Sequence, residues 1–227
     1  MSTFGEISEP SSRATWEDWD DLAGDGQLPE LQWETPLELP EKVDNFVLIE
    51  SRDDSILSEE KKNILEINCI KKANLRLYKT QTGANKYICI IKDCDMMLSS
   101  DVVKLLKDII TRSKVIVTIV VKSICEYQTE QPTLQSCIIR KVTTTNKLNL
   151  MKIDYPKLEQ PNIISGVSAG VFNLREHLGL SATSLVFYME SSTEYQIEDM
   201  QKLLQKIDIS QARQIKQSSI LNSNLYM

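Results

Sequence analysis

Residues Val115-Ile-Val-Thr-Ile-Val-Val121 form a β-branched run with a single polar side chain, Thr118. An extended segment sends alternate side chains to opposite faces, so a run this apolar needs cover on both. The residues directly ahead supply a candidate for that cover. Val102, Val103, Leu105, Leu106, Ile109 and Ile110 recur at helical spacing, behind Ser99, Ser100 and Asp101, which suit a helix start. A helix that feeds straight into a doubly covered strand is the local mark of a layered α/β fold.

The same grammar extends along the chain. Phe46–Glu50, Ile64–Ile70, Leu75–Lys79 and Tyr87–Ile91 are short apolar or alternating runs suited to strands. Ser136–Arg140 reads as a further strand and Leu185–Met189 as another buried one. Ser165 is placed to cap a helix through Leu178 that Gly179 ends, and Ile197–Ile207 reads as a helix with Met200, Leu203, Leu204 and Ile207 inward. The expectation is one α/β domain, a mixed β-sheet flanked by helices.

Charge divides the chain. Residues 1–42 hold eleven acids against two bases, a net of -9, while the remaining 21 acids and 24 bases leave the body at +3. All three tryptophans and four of the seven prolines also fall in that first segment. The expected organisation is an acidic, Trp-containing arm over 1–42, largely disordered when alone, an α/β core over 43–207 and a flexible polar tail over 208–227 that ends in a hydrophobic-Tyr-X motif. Five cysteines without a repeated spacing, and no basic-then-apolar leader, suit a soluble chain with reduced thiols. The expected compartment is the cytoplasm, with nuclear or endoplasmic-reticulum association as the alternatives. No run approaches the roughly 20 apolar residues that span a bilayer, and no overall basic excess favours nucleic acid.

Catalytic readings find little material. Neither common glycine-rich phosphate cradle is present, and seven glycines leave few for another. His177 is the one histidine, near a helix end, where a surface or packing role outweighs a Cys–His pair. Cys89 and Cys94 lack the second pair of soft ligands that structural zinc needs. Asp93-Cys-Asp95 lacks the glycine and glutamate of a calcium loop and reads as a strand-end turn. No catalytic residue, metal or cofactor is expected.

Two segments carry binding character. Trp16 and Trp19 would share one face of a helical turn ringed by acids, and with Trp33 they are candidate anchors of the arm. At the other end, Leu225-Tyr226-Met227 places a tyrosine between two apolar residues after a polar stem. Such a tip suits insertion in a narrow pocket.

Three stretches resemble the proteasome assembly chaperone 1 family. Leu158-Glu-Gln-Pro-Asn-Ile163 is similar to its Leu-Glu-Gln-Pro-Asn-Ile signature, and Asn222–Met227 resembles its Gln-Ser-Asn-Ile-Tyr-Thr ending, with Ser223, Asn224 and Tyr226 identical. Phe4-Gly5-Glu6 matches its opening. The resemblance is strong over 156–227, local at the N-terminus and thin between. It implies a non-catalytic chaperone of 20S proteasome assembly that pairs with proteasome assembly chaperone 2 and binds α subunits in the α-ring. It also implies that Leu225, Tyr226 and Met227 enter pockets between α subunits and that off-pathway α-ring dimers are prevented. Glu159, Gln160, Pro161 and Asn162 read as a structural turn, with a direct ring contact as the lesser alternative. The competing readings are an adaptor of another complex working through the Trp-containing arm, and a small hydrolase or transferase using a cysteine and His177.

Overall fold

The computed structural model describes residues 31–52, 64–81, 85–129, 137–146, 153–189 and 194–207. Trp16, Trp19 and the tail residues Leu225, Tyr226 and Met227 lie outside them. The described residues form β1 (Val43–Ser51), β2 (Ile64–Ile70), β3 (Leu75–Thr80), β4 (Lys86–Lys92), α1 (Ser99–Arg112), β5 (Ser113–Ser123), β6 (Cys137–Thr143), α2 (Gly166–His177), β7 (Thr183–Met189) and α3 (Glu194–Lys206). All seven strands join one mixed sheet in the order β2-β3-β4-β1-β5-β7-β6. The four middle strands are mutually parallel, and antiparallel pairs close both sides. Since β1 lies between β4 and β5, the crossover through α1 spans it, the usual way of covering a parallel strand.

Alternation along the strands sorts the core into two faces. Phe46, Leu48 and Ile116 join Val102, Leu106, Ile109 and Ile110 of α1 and Val167 and Val171 of α2 in one cluster. Val47, Ile49, Val117, Ile119, Leu185 and Phe187 meet Met200, Leu203 and Leu204 of α3 in the other. This is the two-sided cover that the run around Thr118 requires. Thr118 itself is fully buried, and its hydroxyl donates to Ser184 Oγ at 2.7 Å, so one neighbouring strand absorbs the one polar group.

Both flanks of the sheet are shielded. Beside β6, Lys141 N–H donates to the Pro156 carbonyl at 2.8 Å and the Lys141 carbonyl accepts from Leu158 N–H at 2.9 Å. Beside β2, the Asn68 side-chain amide donates to the Thr35 carbonyl at 2.7 Å. An unpaired edge invites strand addition, and both contacts discourage it. The Thr35 contact belongs to a segment that packs well ahead of Lys42. Leu31 is buried, and Trp33, Leu37 and Leu39 pack against the core on the α1–α2 side. Arg112, at the end of α1, donates to the Leu39 carbonyl at 3.2 Å. Trp33 is therefore part-buried against the core, whatever role the arm's other tryptophans have.

The helix ends differ in how they follow local sequence. Gly179 (φ +65°) ends α2 as its position suggests. Its N–H reaches the Glu176 carbonyl at 3.0 Å, and Leu180 N–H reaches that of Arg175 at 2.9 Å. The start of α2 departs from expectation. Ser165 occupies the N-cap position without a side-chain cap bond. The Glu50 carboxylate takes its place, accepting from Val167 N–H at 3.3 Å and Ser168 N–H at 3.0 Å. A full negative charge at the positive end of a helix is a stronger acceptor than a hydroxyl. No side chain caps α1 directly either; Asp95 accepts from Met97 N–H at 3.0 Å in the 3-10 turn Met96–Leu98 just ahead of it.

Candidate functional site

Of the residues singled out from sequence, the described ones that gather in space are Glu159–Asn162. They lie over β6 and β7, just ahead of α2 in the chain, where Leu158 and Ile164 pack against the small cluster of Ile138, Val186 and Tyr188. Asn162 N–H donates to the Glu159 carbonyl at 3.1 Å, closing a turn around Gln160 and Pro161, whose connecting peptide is cis.

The four residues divide by direction. Glu159 points inward, accepting from Arg140 Nε at 2.9 Å and from the Tyr127 hydroxyl. Arg140 also donates through Nη2 to the Tyr127 hydroxyl at 2.6 Å and through Nη1 to the Ile139 carbonyl at 3.1 Å. Its guanidinium carbon stands 5.2 Å from the centre of the Tyr127 ring, which in turn packs on Tyr188 with ring centres 5.0 Å apart. Asn162 is the second anchor. Its Nδ2 donates to the Gln128 carbonyl at 2.7 Å while its Oδ1 accepts from Gln128 N–H at 2.9 Å. That reciprocal pair copies a strand–strand contact with a side-chain amide. Gln160, Pro161 and Ile163 are left exposed at the surface.

Burial shapes the electrostatics of this clamp. Burial, followed by the charges of Glu126 and Glu159, raises the Tyr188 phenol above its ordinary range, so it stays protonated at neutral pH. Burial draws Arg140 down from the usual arginine value, yet arginine remains charged through the neutral range. The Tyr127 hydroxyl, the Arg140 guanidinium, the Glu159 carboxylate and the Asn162 amide are each hydrogen-bonded within the clamp. What the arrangement does is hold a short proline-bearing loop in one shape and display its tip.

The other sequence candidates among the described residues do not join it. His177 is exposed at the end of α2, and Cys89 is buried in the core. Burial raises the Cys89 thiol far above its usual range, so it is no nucleophile near neutrality. Asp93, with φ +45°, and Asp95 form the turn after β4. Sequence reasoning passed over four residues that organise this half of the molecule: Glu50, Tyr127, Arg140 and Arg175. Arg175 alone carried a readable signal, since Val167, Val171 and Arg175 recur at a four-residue step and so share the buried stripe of α2.

The fold defines a class: a seven-stranded mixed α/β sheet with a parallel centre, antiparallel flanks and helices on both faces. No protein-family model matches this chain, and no curated protein matches it. Solved structures share its fold at low identity. Pyrococcus furiosus PbaB, an archaeal proteasome activator, superposes with a TM-score of 0.56 at 10% identity, over 81% of this chain and 91% of that one. PbaA from the same organism, an archaeal homolog of proteasome-assembly chaperone, gives 0.54 at 12% identity, over 81% and 84%. A Thermoplasma acidophilum protein of unknown function gives 0.54 at 9% identity, over 92% and 88%.

Proposed function

We propose that the chain is a non-catalytic chaperone of 20S proteasome assembly, working as a heterodimer with proteasome assembly chaperone 2 on the α-ring. The observation that carries this reading is a convergence. Its segments Leu158–Ile163 and Asn222–Met227 resemble the chaperone 1 family, and its fold is shared by a structure described as an archaeal proteasome-assembly chaperone homolog and by another described as a proteasome activator. The clamp around Glu159 supports a structural role for the first motif, because Glu159 and Asn162 are both used internally.

In this reading the second motif makes the functional contact. Leu225 supplies apolar area, Tyr226 supplies area and an orienting hydroxyl, and the main-chain carboxylate of Met227 pairs with a cation or backbone N–H groups in a pocket between α subunits. A weak tail contact suffices when the folded heterodimer also touches the ring, because the second contact forms at high effective concentration. Dissociation then follows once ring maturation removes the shared geometry, with no nucleotide consumed.

The test is reconstitution. Purified α subunits that pair into off-pathway double rings are mixed with the heterodimer and followed by sedimentation velocity. The expected result is a shift from double to single rings with the chaperone co-sedimenting. Double rings forming at the same rate, with no co-sedimentation, would reject the function.

A further inference from the structure

Between β6 and α3 lies a groove of about 650 Å³, within the range that accommodates a small ligand or a few side chains. Cys137, Ile139 and Tyr155 form its less polar wall, and Asp199, Lys202 and Lys206 line it from α3. We propose that this groove holds the chain's own C-terminal Leu225-Tyr226-Met227 when no partner receives it. The inference rests on the proposed function only for its consequence, since a parked tail must be released before a ring pocket can take it.

Chemistry and tethering both favour this occupant. Lys206 Nζ stands 4.9 Å from the centre of the Tyr155 ring and 3.3 Å from its hydroxyl, which makes an aromatic–cation ledge suited to a second tyrosine. Lys202 pairs with Asp199 at 2.9 Å, so among the lining residues the α3 wall keeps one net positive charge, from Lys206. Residues 217–227 carry no charged side chain, so the segment enters without stripping water from one. It also begins in the right place. The described chain reaches Ile207, directly after Lys206 on the groove wall. The 17 residues between Ile207 and Leu225 set a reach of at most about 60 Å, and a tether of such length gives effective concentrations on the order of 1 mM. A contact with a dissociation constant of about 0.1 mM would therefore be mostly closed. The tail's apparent affinity for any receptor falls by the fraction of time it is parked.

Cys137 reports on the groove and exposed Cys125 serves as the internal reference. Burial pushes the Cys137 thiol up to about 11, so alkylation is slow enough for rates to be compared. The full-length chain and its L225A/Y226A variant are alkylated with iodoacetamide at one pH, without any proteasome subunit, and quantified by peptide mass spectrometry. The expected result is that Cys137 reacts about threefold or more faster in the variant while Cys125 is unchanged. Equal Cys137 rates would overturn the inference, and so would a matching rise at Cys125, which would signal general loosening. Because no ring component is present, failure here leaves the proposed function standing. Failure of the ring assay likewise leaves this result intact.

Discussion

Replacing Arg175 by Met is expected to lower the free energy of unfolding by about 3–5 kcal/mol, the range for breaking a buried charged network. Arg175 is 1% exposed, and among the described residues no carboxylate pairs with it. Its five N–H groups go to carbonyl oxygens instead. Nε and Nη2 donate to Ser181 at 3.1 and 2.7 Å, Nη1 to Ile110 at 3.0 Å and Ser113 at 2.9 Å, and Nη2 also to Lys114 at 3.4 Å. One side chain thus satisfies the last turn of α1, the start of β5 and the loop after α2. Burial lowers its pKa to about 10, still well above neutrality, so every donor is in place. Methionine fills similar space but removes the donors from those carbonyls, of which Ile110 and Ser113 accept in buried contacts. Lysine keeps the charge with only three donors on a point-like head, and should recover part of the loss. Urea unfolding of the three proteins checks the order wild type, Arg175→Lys, Arg175→Met. A loss below about 1 kcal/mol for Met would mean that the carbonyls find other partners.

Gly166→Ala should cost about 2–4 kcal/mol, from two separable causes. Gly166 has φ +74°, where a Cβ adds about 1–2 kcal/mol. The added Cβ would also lie 2.2 Å from Glu50 Oε1, so the carboxylate must leave its place at the head of α2. Losing that cap adds about 1–2 kcal/mol. The causes separate in a double-mutant cycle measured by chemical unfolding. With Glu50→Ala already present, Gly166→Ala should cost only the backbone part. Strict additivity would show that the carboxylate and the glycine are not coupled.

These two sites mark the boundary of what the sequence discloses. The strands and helices are legible because each has its own period: β-branched runs at Val115–Val121, a helical stripe from Val102 to Ile110, a glycine stop at Gly179. Strand order has no such local signature. Nothing in the residues of β1 says that β4 and β5 will flank it, because pairing is decided by contacts made after the crossovers form. The cap of α2 is hidden for the same reason. Ser165 is the local candidate, yet Glu50 reaches the helix across more than a hundred residues of chain. At the candidate site, proline and asparagine announce the turn at Glu159–Asn162, while its partners Tyr127 and Arg140 lie 32 and 19 residues away in sequence. The segment from Leu31 to Leu39 was masked by its charge. Its apolar residues at 31, 33, 37 and 39 alternate in the manner of a chain lying on a surface, and they pack that way.

The proposed role is tested most directly by the affinity of the heterodimer for isolated α-rings, with and without the tail tip. Wild type, Tyr226→Ala and a chain lacking Leu225–Met227 would be compared by biolayer interferometry, after circular dichroism and sedimentation confirm fold and pairing. A buried tyrosine anchor is commonly worth about 2 kcal/mol, so Tyr226→Ala should weaken binding by roughly 30-fold and the deletion by at least as much. Affinity unchanged in both variants, with fold and pairing intact, would contradict the proposed insertion of the tail into the ring.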